Sequence, residues 1–547
     1  MKRISILFAM LFLAFGAFAA APVKTISGNI TGNVFWNFDT VYLLSGKVYV
    51  KAGATLTIAP GTIIKGDYST AGSCLVITRG AKIMAEGEAT RPIVFTSSRT
   101  VGNRATADWG GIVMEGNAKI NVPGGIGTVE GGNLSNPDGT ASDGQYGGLN
   151  DLDNSGVLKY VRIEFAGYPY APNNELNGLT LAGVGSGTVL SHIQVSYGFD
   201  DAFEFFGGTV NADHLVSYRG NDDDFDTDFG FRGKVQFGVA LRDTSVADAV
   251  SGANGFESDN DGTGTASGPK TSAVFSNMTL VGPRWTASNG YNSSFRSGAH
   301  IRRNSEQSIF NSIFMGWPTG VKIDGDSCHR NADSLWLAFQ QNIVAGSSLS
   351  LDSVGPSATT WGISNWFNTM NTGNTLLAQS ADVMLTTPHS YSAPDFRPAT
   401  GSPALSGASF ANAKLASGFD VTPTYRGAFG SENWMENWTS FTPDTNPYEE
   451  GVGPLGFTEE QRAALQIQLI PNPATDKCQL FFTLPQASNV TCELVDLSGH
   501  IVFHQQANFQ VGQSNMSIPV STLANGIYMV RLNVNGVSLH QKLNVIH

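Results

Sequence analysis

Three short segments near the middle of the chain alternate aromatic and acidic residues: AFEFF (202–206), DFDTD (224–228) and GFESD (255–259). Each sets a Phe (Phe203, Phe225, Phe256) directly before an acid (Glu204, Asp226, Glu257). Successive side chains of a strand point to opposite faces, so the pattern predicts strands with Phe inside and acid outside. The second segment follows the first by 22 residues and the third follows by 31, as if one loop had lengthened. A second strand recurs ahead of them, as LSHIQVSYG (190–198) and ADHLVSYRG (212–220). Similar strands are LKYVRIEFAG (158–167), FSNMTLVG (275–282), IFNSIFMG (309–316) and QQNIVAG (340–346). In each, a polar residue precedes two apolar ones, and Gly closes the strand. Short strands and Gly turns with a period of roughly 20–35 residues predict a parallel solenoid, in which stacking makes the apolar stripe continuous.

Residues 41–120 are also short alternating strands cut by Gly or Pro-Gly, among them GTIIKG, RPIVFTS and WGGIVMEG. These phrases resemble the N-terminal coils of right-handed parallel β-helix proteins, the pectin-lyase-like superfamily. The resemblance implies an all-β, right-handed β-helix over residues 20–441. Residues 121–155, rich in Gly, Asn and Asp, read as a long loop leaving the solenoid. A short helix is expected around TWGISNWFNTM, within 361–385, and residues 394–429 resemble a closing coil. The aromatic run SENWMENWTSF (431–441) is expected to cover the exposed end of the last coil.

The chain changes character after residue 441. Residues 442–466 are polar, acidic and bear Pro and Gly, which suits a linker. Residues 467–547 hold alternating strands at roughly ten-residue spacing, which predicts a β-sandwich of about seven strands. LIPNPATD (469–476), ELVDLSGHIV (493–502), LANGIYMVRL (523–532) and QKLNVIH (541–547) resemble the C-terminal sorting domain of the type IX secretion system. That system carries cargo across the outer membrane of Bacteroidetes-type bacteria. The resemblance implies recognition by outer-membrane secretion and sorting machinery, removal of the domain, and attachment to a surface glycolipid or release.

The N-terminus agrees with export. Lys2 and Arg3 precede an apolar run from Ile4 to Phe18, and Ala17-Phe18-Ala19 is a small-x-small cleavage site, so residues 1–19 read as a signal peptide. No other apolar run is long enough to span a membrane. The net charge of −13 argues against a nucleic-acid partner, which needs a basic face. Four Cys form no disulfide framework; Cys478 and Cys492 fall in adjacent expected strands, as a disulfide or as two buried thiols.

The candidate chemistry lies in the acids. Residues 199–228 contain nine of them against Arg219 alone. Stacked at ~4.8 Å, like charges repel by about 1 kcal/mol in water and severalfold more where solvent is excluded. Continuing the register gives Phe295 inside with Arg296 outside, then Val321 with Lys322. The expected outward column is therefore Glu204, Asp226, Glu257, Arg296, Lys322. It is either a self-compensating charged face or a site for a metal or substrate. Oxygen donors without a His/Cys set point to calcium. ESDNDG (257–262) starts like a calcium loop, but its twelfth position is Gly268, so it is no EF-hand. The expected calcium ligands are Asp228, Glu257, Asp259 and Asp261. The expected ligand-binding residues are Glu204, Phe206, Asp226 and Glu257, with Phe206 offering a ring face to a sugar.

His192 and His214 precede a buried aliphatic, as Asn277, Ser312 and Asn342 do, so a stacked polar turn is expected and a catalytic pair is the alternative. Polygalacturonase-like hydrolases share a paired Asp, Gly-His-Gly and Arg-Ile-Lys; Asp200-Asp201 imitates the first and the others are absent. No lyase signature surrounds Arg232, Lys234, Arg242, Arg302 or Arg303. The reading is a surface-displayed protein that binds polysaccharide or matrix without catalysis. A polysaccharide lyase or glycoside hydrolase working through the acidic face is the alternative.

Overall fold

The computed structural model describes residues 21–131, 143–171, 174–448, 465–484, 487–496, 501–534 and 537–547. The expected signal peptide and residues 449–464 of the expected linker lie outside the described residues. The first part is a right-handed solenoid: 27 strands form one continuous parallel network that winds coil upon coil. Strands such as Gly156–Glu164, Val189–Ser196, Asn211–Tyr218 and Lys234–Leu241 stack in register. The face that matters below is built by Leu179–Ala182, Phe203–Phe206, Phe225–Asp228, Phe256–Ser258, Ser297–Ile301 and Thr319–Asp324, each paired parallel to the next.

The aromatic residues sit where alternation puts them. Phe203, Phe225 and Phe256 are wholly buried, and their rings stack at 5.4 Å from one coil to the next. Burying such a ring removes some of the largest apolar areas in the chain from water. The inward column continues as Ala299 and Val321, not Phe295. Phe295 is buried too, but it lies before the strand and packs edge-on against Trp317.

The long strands bend at one residue each. Tyr160, His192, His214, Phe237, Asn277, Asn311 and Gln341 all have φ between 50° and 62°. A side-chain-bearing residue pays for this left-handed turn, and stacking offsets the cost: His192 lies 4.2 Å from His214, which lies 5.0 Å from Phe237. Asp213 joins the ladder, accepting from Ser191 Oγ at 2.6 Å and lying 2.6 Å from His214 Nδ1. The histidines thus form the expected turn ladder. Its later rungs are Asn311 and Gln341, one place before the expected Ser312 and Asn342.

Three further features depart from the sequence reading. The helix Asp326–Asp333 was not foreseen; its buried face is Cys328, His329, Asn331 and Ala332, too polar to read as an apolar stripe. The expected later helix is a short turn, Ile363–Asn365, running into the π-helical Trp366–Met370. Its Trp366 and Phe367 lie 6.0 and 5.9 Å from Phe339 and so close the core at that end. The run 431–441 does not cap the last coil. It belongs to a strap that returns along the solenoid: Asn311 donates to Ser409 O, Asn277 to Tyr425 O, and Gln194 to Ser440 O. Trp434 and Trp438 pack edge-on to the histidine ladder. Residues 443–448, read as linker, finish the strap. Arg104 donates to Pro443 O at 2.7 Å, and the buried Tyr448 hydroxyl donates to Glu164 and accepts from Arg162.

The C-terminal part is antiparallel. A three-stranded sheet (Gln468–Ile470, Lys477–Leu484, Gly512–Pro519) accompanies a four-stranded one (Ser488–Val495, Ile501–Phe509, Gly526–Val534, Val537–Val545). Leu480, Phe482, Val490, Leu494, Val530 and Leu532 share one core, separate from that of the coils. Cys478 and Cys492 are buried thiols within it and form no disulfide.

Candidate functional site

The residues after the three phenylalanines define the site. Register places Thr180, Glu204, Asp226, Glu257, His300 and Lys322 in one outward column. Arg296, expected above Glu257, is not in it. The coil from Ser258 to Ser297, which includes the strands Val274–Ser276 and Thr279–Val281, is longer than the sequence repeat, so His300 takes that rung. Arg296 donates instead to Ser293 O within its own turn.

Outward here does not mean solvated. Glu204 is only 3% exposed. Glu204, Asp226 and Glu257 of this column line a cleft of about 400 Å³. One wall comes from Thr128, Glu130 and Tyr146, which lie over the coils. The turns before each strand supply Asp200, Asp201, Asp222 and Asp223. Phe206 is buried and lies 6.1 Å from the Tyr146 ring and 5.6 Å from Phe229, so it helps line the cleft but presents no open platform. Among the described residues, twelve carboxylates and two arginines line this space.

The charges are unevenly paired. Arg302 holds Glu257 and lies 2.9 Å from Asp259, and Arg303 holds Asp259 at 2.7 Å. Arg242 is fully buried and pairs with Asp224 at 3.0 Å. Glu204 and Asp226 have no such partner: Glu204 Oε1, Asp226 Oδ1 and the nearby Asp222 Oδ1 are buried without a hydrogen bond. Burial, then the Asp226 and Asp201 charges, holds the Glu204 carboxyl well above the usual range. Burial, then Asp201 and Asp223, does the same to Asp226. Burial pushes Glu130 up to about 7, and burial with Asp259 pushes Asp228 up to about 8. Asp223 reaches only about 6, because the Asn254 backbone N–H and Arg242 oppose its burial.

Three groups of acids bring ligand oxygens within 4.8 Å of one another: Asp200–Asp201–Asp222, Asp201–Glu204–Asp226 and Asp223–Asp226–Glu257. Glu204, Asp226 and Glu257, named from sequence, are thus brought together. The set Asp228, Glu257, Asp259, Asp261 is not: among the described residues no such group contains Asp228, Asp259 or Asp261. Asp261 instead closes its own loop, accepting from the backbone N–H groups of Thr263 and Thr265. Asp200, Asp201, Asp222 and Asp223, counted from sequence among the nine acids but not in the expected ligand set, form the centre of the site. The doublet Asp200-Asp201 and the triplet Asp222-Asp223-Asp224, spaced by the coil repeat, were the available signal.

An all-oxygen donor set with orphaned buried oxygens fits a hard divalent cation. The same upward shifts favour the protonated form that a general acid needs. Elsewhere, Ser357, His329 and Asp326 meet, but Ser357 Oγ lies on His329 Nδ1 and donates to Asp326, so the Asp does not orient the imidazole for the serine.

Two family models match the chain. One, described as a pectate-lyase-like β-helix domain, matches residues 28–376, and a secretion system C-terminal sorting domain matches residues 468–546. No curated protein matches it. Among solved structures, the chain is 11% identical to the enzymatically active domain of bacteriophage CBA120 tailspike protein 2, with 92% of this chain and 72% of that chain covered and a TM-score of 0.18. For the full-length tailspike protein 2 of an Escherichia coli O157:H7 bacteriophage the identity is 10%, the coverage 92% and 64%, and the TM-score 0.16. The sorting domain marks the chain for export by the type IX secretion system, to the cell surface or the medium. No helix among the described residues is long and apolar enough to cross a membrane. The chain belongs to the pectate-lyase-like β-helix domain family, joined to a type IX sorting domain.

Proposed function

We propose that the exported β-helix is a non-catalytic binding protein whose acidic cleft takes calcium and, through it, an anionic polysaccharide or matrix polymer. The observation that carries this reading is the orphaned, buried Glu204 Oε1 beside Asp201 and Asp226. Such a carboxylate cannot stay ionised without a counter-charge. Asp201, Glu204, Asp226, Asp223 and Glu257 would hold the cation. Once bound, it would offer open positions to carboxylate or sulfate groups of a glycan. Arg302 and Arg303 at the same cleft add fixed positive charge.

A second reading has its own support. Glu130 and Asp228 both line the cleft and are pushed up to about 7 and about 8, the range in which an acid or base of a lyase or glycoside hydrolase works. Incubation with a panel of acidic and neutral polysaccharides separates the two readings. The binding reading expects calcium-dependent retention of an acidic polymer with no new reducing ends or unsaturated products. Product formation abolished by Asp228→Asn replaces it with the enzymatic reading. No retention of any acidic polymer, with or without calcium, sinks both.

A further inference from the structure

Residues 143–147 carry Tyr146 onto the cleft. They are pinned to the coils by Arg79, which donates to Gly147 O at 3.2 Å and Gln145 Oε1 at 3.4 Å. A second anchor is the ion pair between Lys51 Nζ and Asp143 Oδ2. The Asp143 side chain is 4% exposed and that of Lys51 19%. Beside them stands Glu115. Val50, Ile77 and Met114 are paired across successive strands, so Lys51, Thr78 and Glu115, the next residues, share one outward column. Thr78 Oγ1 turns back to donate to Val50 O, which leaves the column clear for the lysine arm.

Glu115 is fully buried, and neither carboxyl oxygen makes a well-formed hydrogen bond, although the Gly144 N–H faces it. Burial, then the charge of Asp143, holds its carboxyl well above the usual range, which favours its protonated form. An amine, a carboxyl and a water-excluded acid held towards its protonated form are the parts needed to form an amide without a cofactor.

We propose that Lys51 and Asp143 condense into an intramolecular isopeptide bond, with Glu115 shuttling the protons. The Lys51 ammonium first passes a proton to the Asp143 carboxylate, which gives a neutral amine and a neutral acid. Nζ then attacks Cγ of Asp143. Glu115 donates its proton to the oxygen that leaves and regains one from the attacking nitrogen. An N–C bond forms, a C–O bond breaks, and one water departs, so ammonium and carboxylate become amide and water with Glu115 unchanged. Two effects favour the step. Fixed proximity replaces a bimolecular encounter, and a neutral amide replaces a poorly solvated ion pair. The bond would tie the first coils to the strand bearing Tyr146 and fix that wall of the cleft.

Intact-mass measurement of the purified, exported chain tests this, with peptide mapping after trypsin. The expected result is a chain lighter by one water, no cleavage after Lys51, and a branched peptide joining Lys51 to Asp143. Asp143→Asn should still close, losing ammonia instead of water. Lys51→Arg keeps the ion pair and should show full mass, and Glu115→Gln should stop or slow closure. Full mass in the native chain, with linear peptides around Lys51 and Asp143, overturns the proposal and leaves a plain ion pair.

Discussion

Replacing Asp226 by Asn removes the middle charge of the acidic column and changes little else. Asp226 is paired in register with Glu204 on one side and Glu257 on the other. At a coil spacing of ~4.8 Å and an effective dielectric of about 20, each ionised neighbour costs about 3 kcal/mol. Proton uptake relieves part of this, at about 1.4 kcal/mol for each pH unit above the folded pKa. The sign of the pH effect follows from linkage. These carboxyls have raised folded pKa values, about 6 for Asp223 and about 8 for Asp228, so the folded state binds protons that the unfolded chain has lost. Stability therefore falls as pH rises from about 4 towards 8. In chelator at pH 8, Asp226→Asn should stabilise the coils by about 2–3 kcal/mol, and at pH 5 the gain should shrink. Calcium at a hundred times its Kd should stabilise the native chain by about 2.7 kcal/mol, and the variant by less. Thermal unfolding at both pH values, with calcium and with chelator, gives all these comparisons. A variant that is less stable than the native chain in chelator at pH 8, with an unchanged calcium response, refutes the reasoning.

Other perturbations probe the parts separately. Phe225→Ala empties a stacked, fully buried position and should cost about 3–5 kcal/mol in denaturant unfolding. Arg302→Gln leaves Glu257 and Asp259 without their shared guanidinium and should cost about 3 kcal/mol in chelator, with calcium restoring part of the loss. Deleting residues 467–547 should stop export while the coils stay folded, because the two cores are separate; fractionation and circular dichroism check both halves.

The fold was legible because its repeat is written in side chains. The Phe-acid pairs at 203–204, 225–226 and 256–257 set strand, face and register together. Register was lost where the repeat is carried by small residues. Ala299 occupies the inward rung, so the nearer Phe295 was the more conspicuous but misleading choice, and Arg296 displaced His300 from the expected column. The burial of the acids was not legible. Alternation gives the face but not what covers it, and the cover comes from Glu130 and from Tyr146 on the two-residue strand Gln145–Tyr146, too short to show a period in the sequence. The strap was hidden for a similar reason. Trp434 and Trp438 announce packing, but only the histidine ladder they rest on says where.

Direct titration of the purified chain with calcium, followed by calorimetry at pH 7.5 in chelator-stripped buffer, addresses the central claim. The account predicts saturable binding with proton release, because cation and proton compete for the same carboxyls, and loss of that binding when Glu204, Asp226 and Glu257 are replaced together by their amides. No heat and no proton release, or binding unchanged in the triple variant, would contradict it.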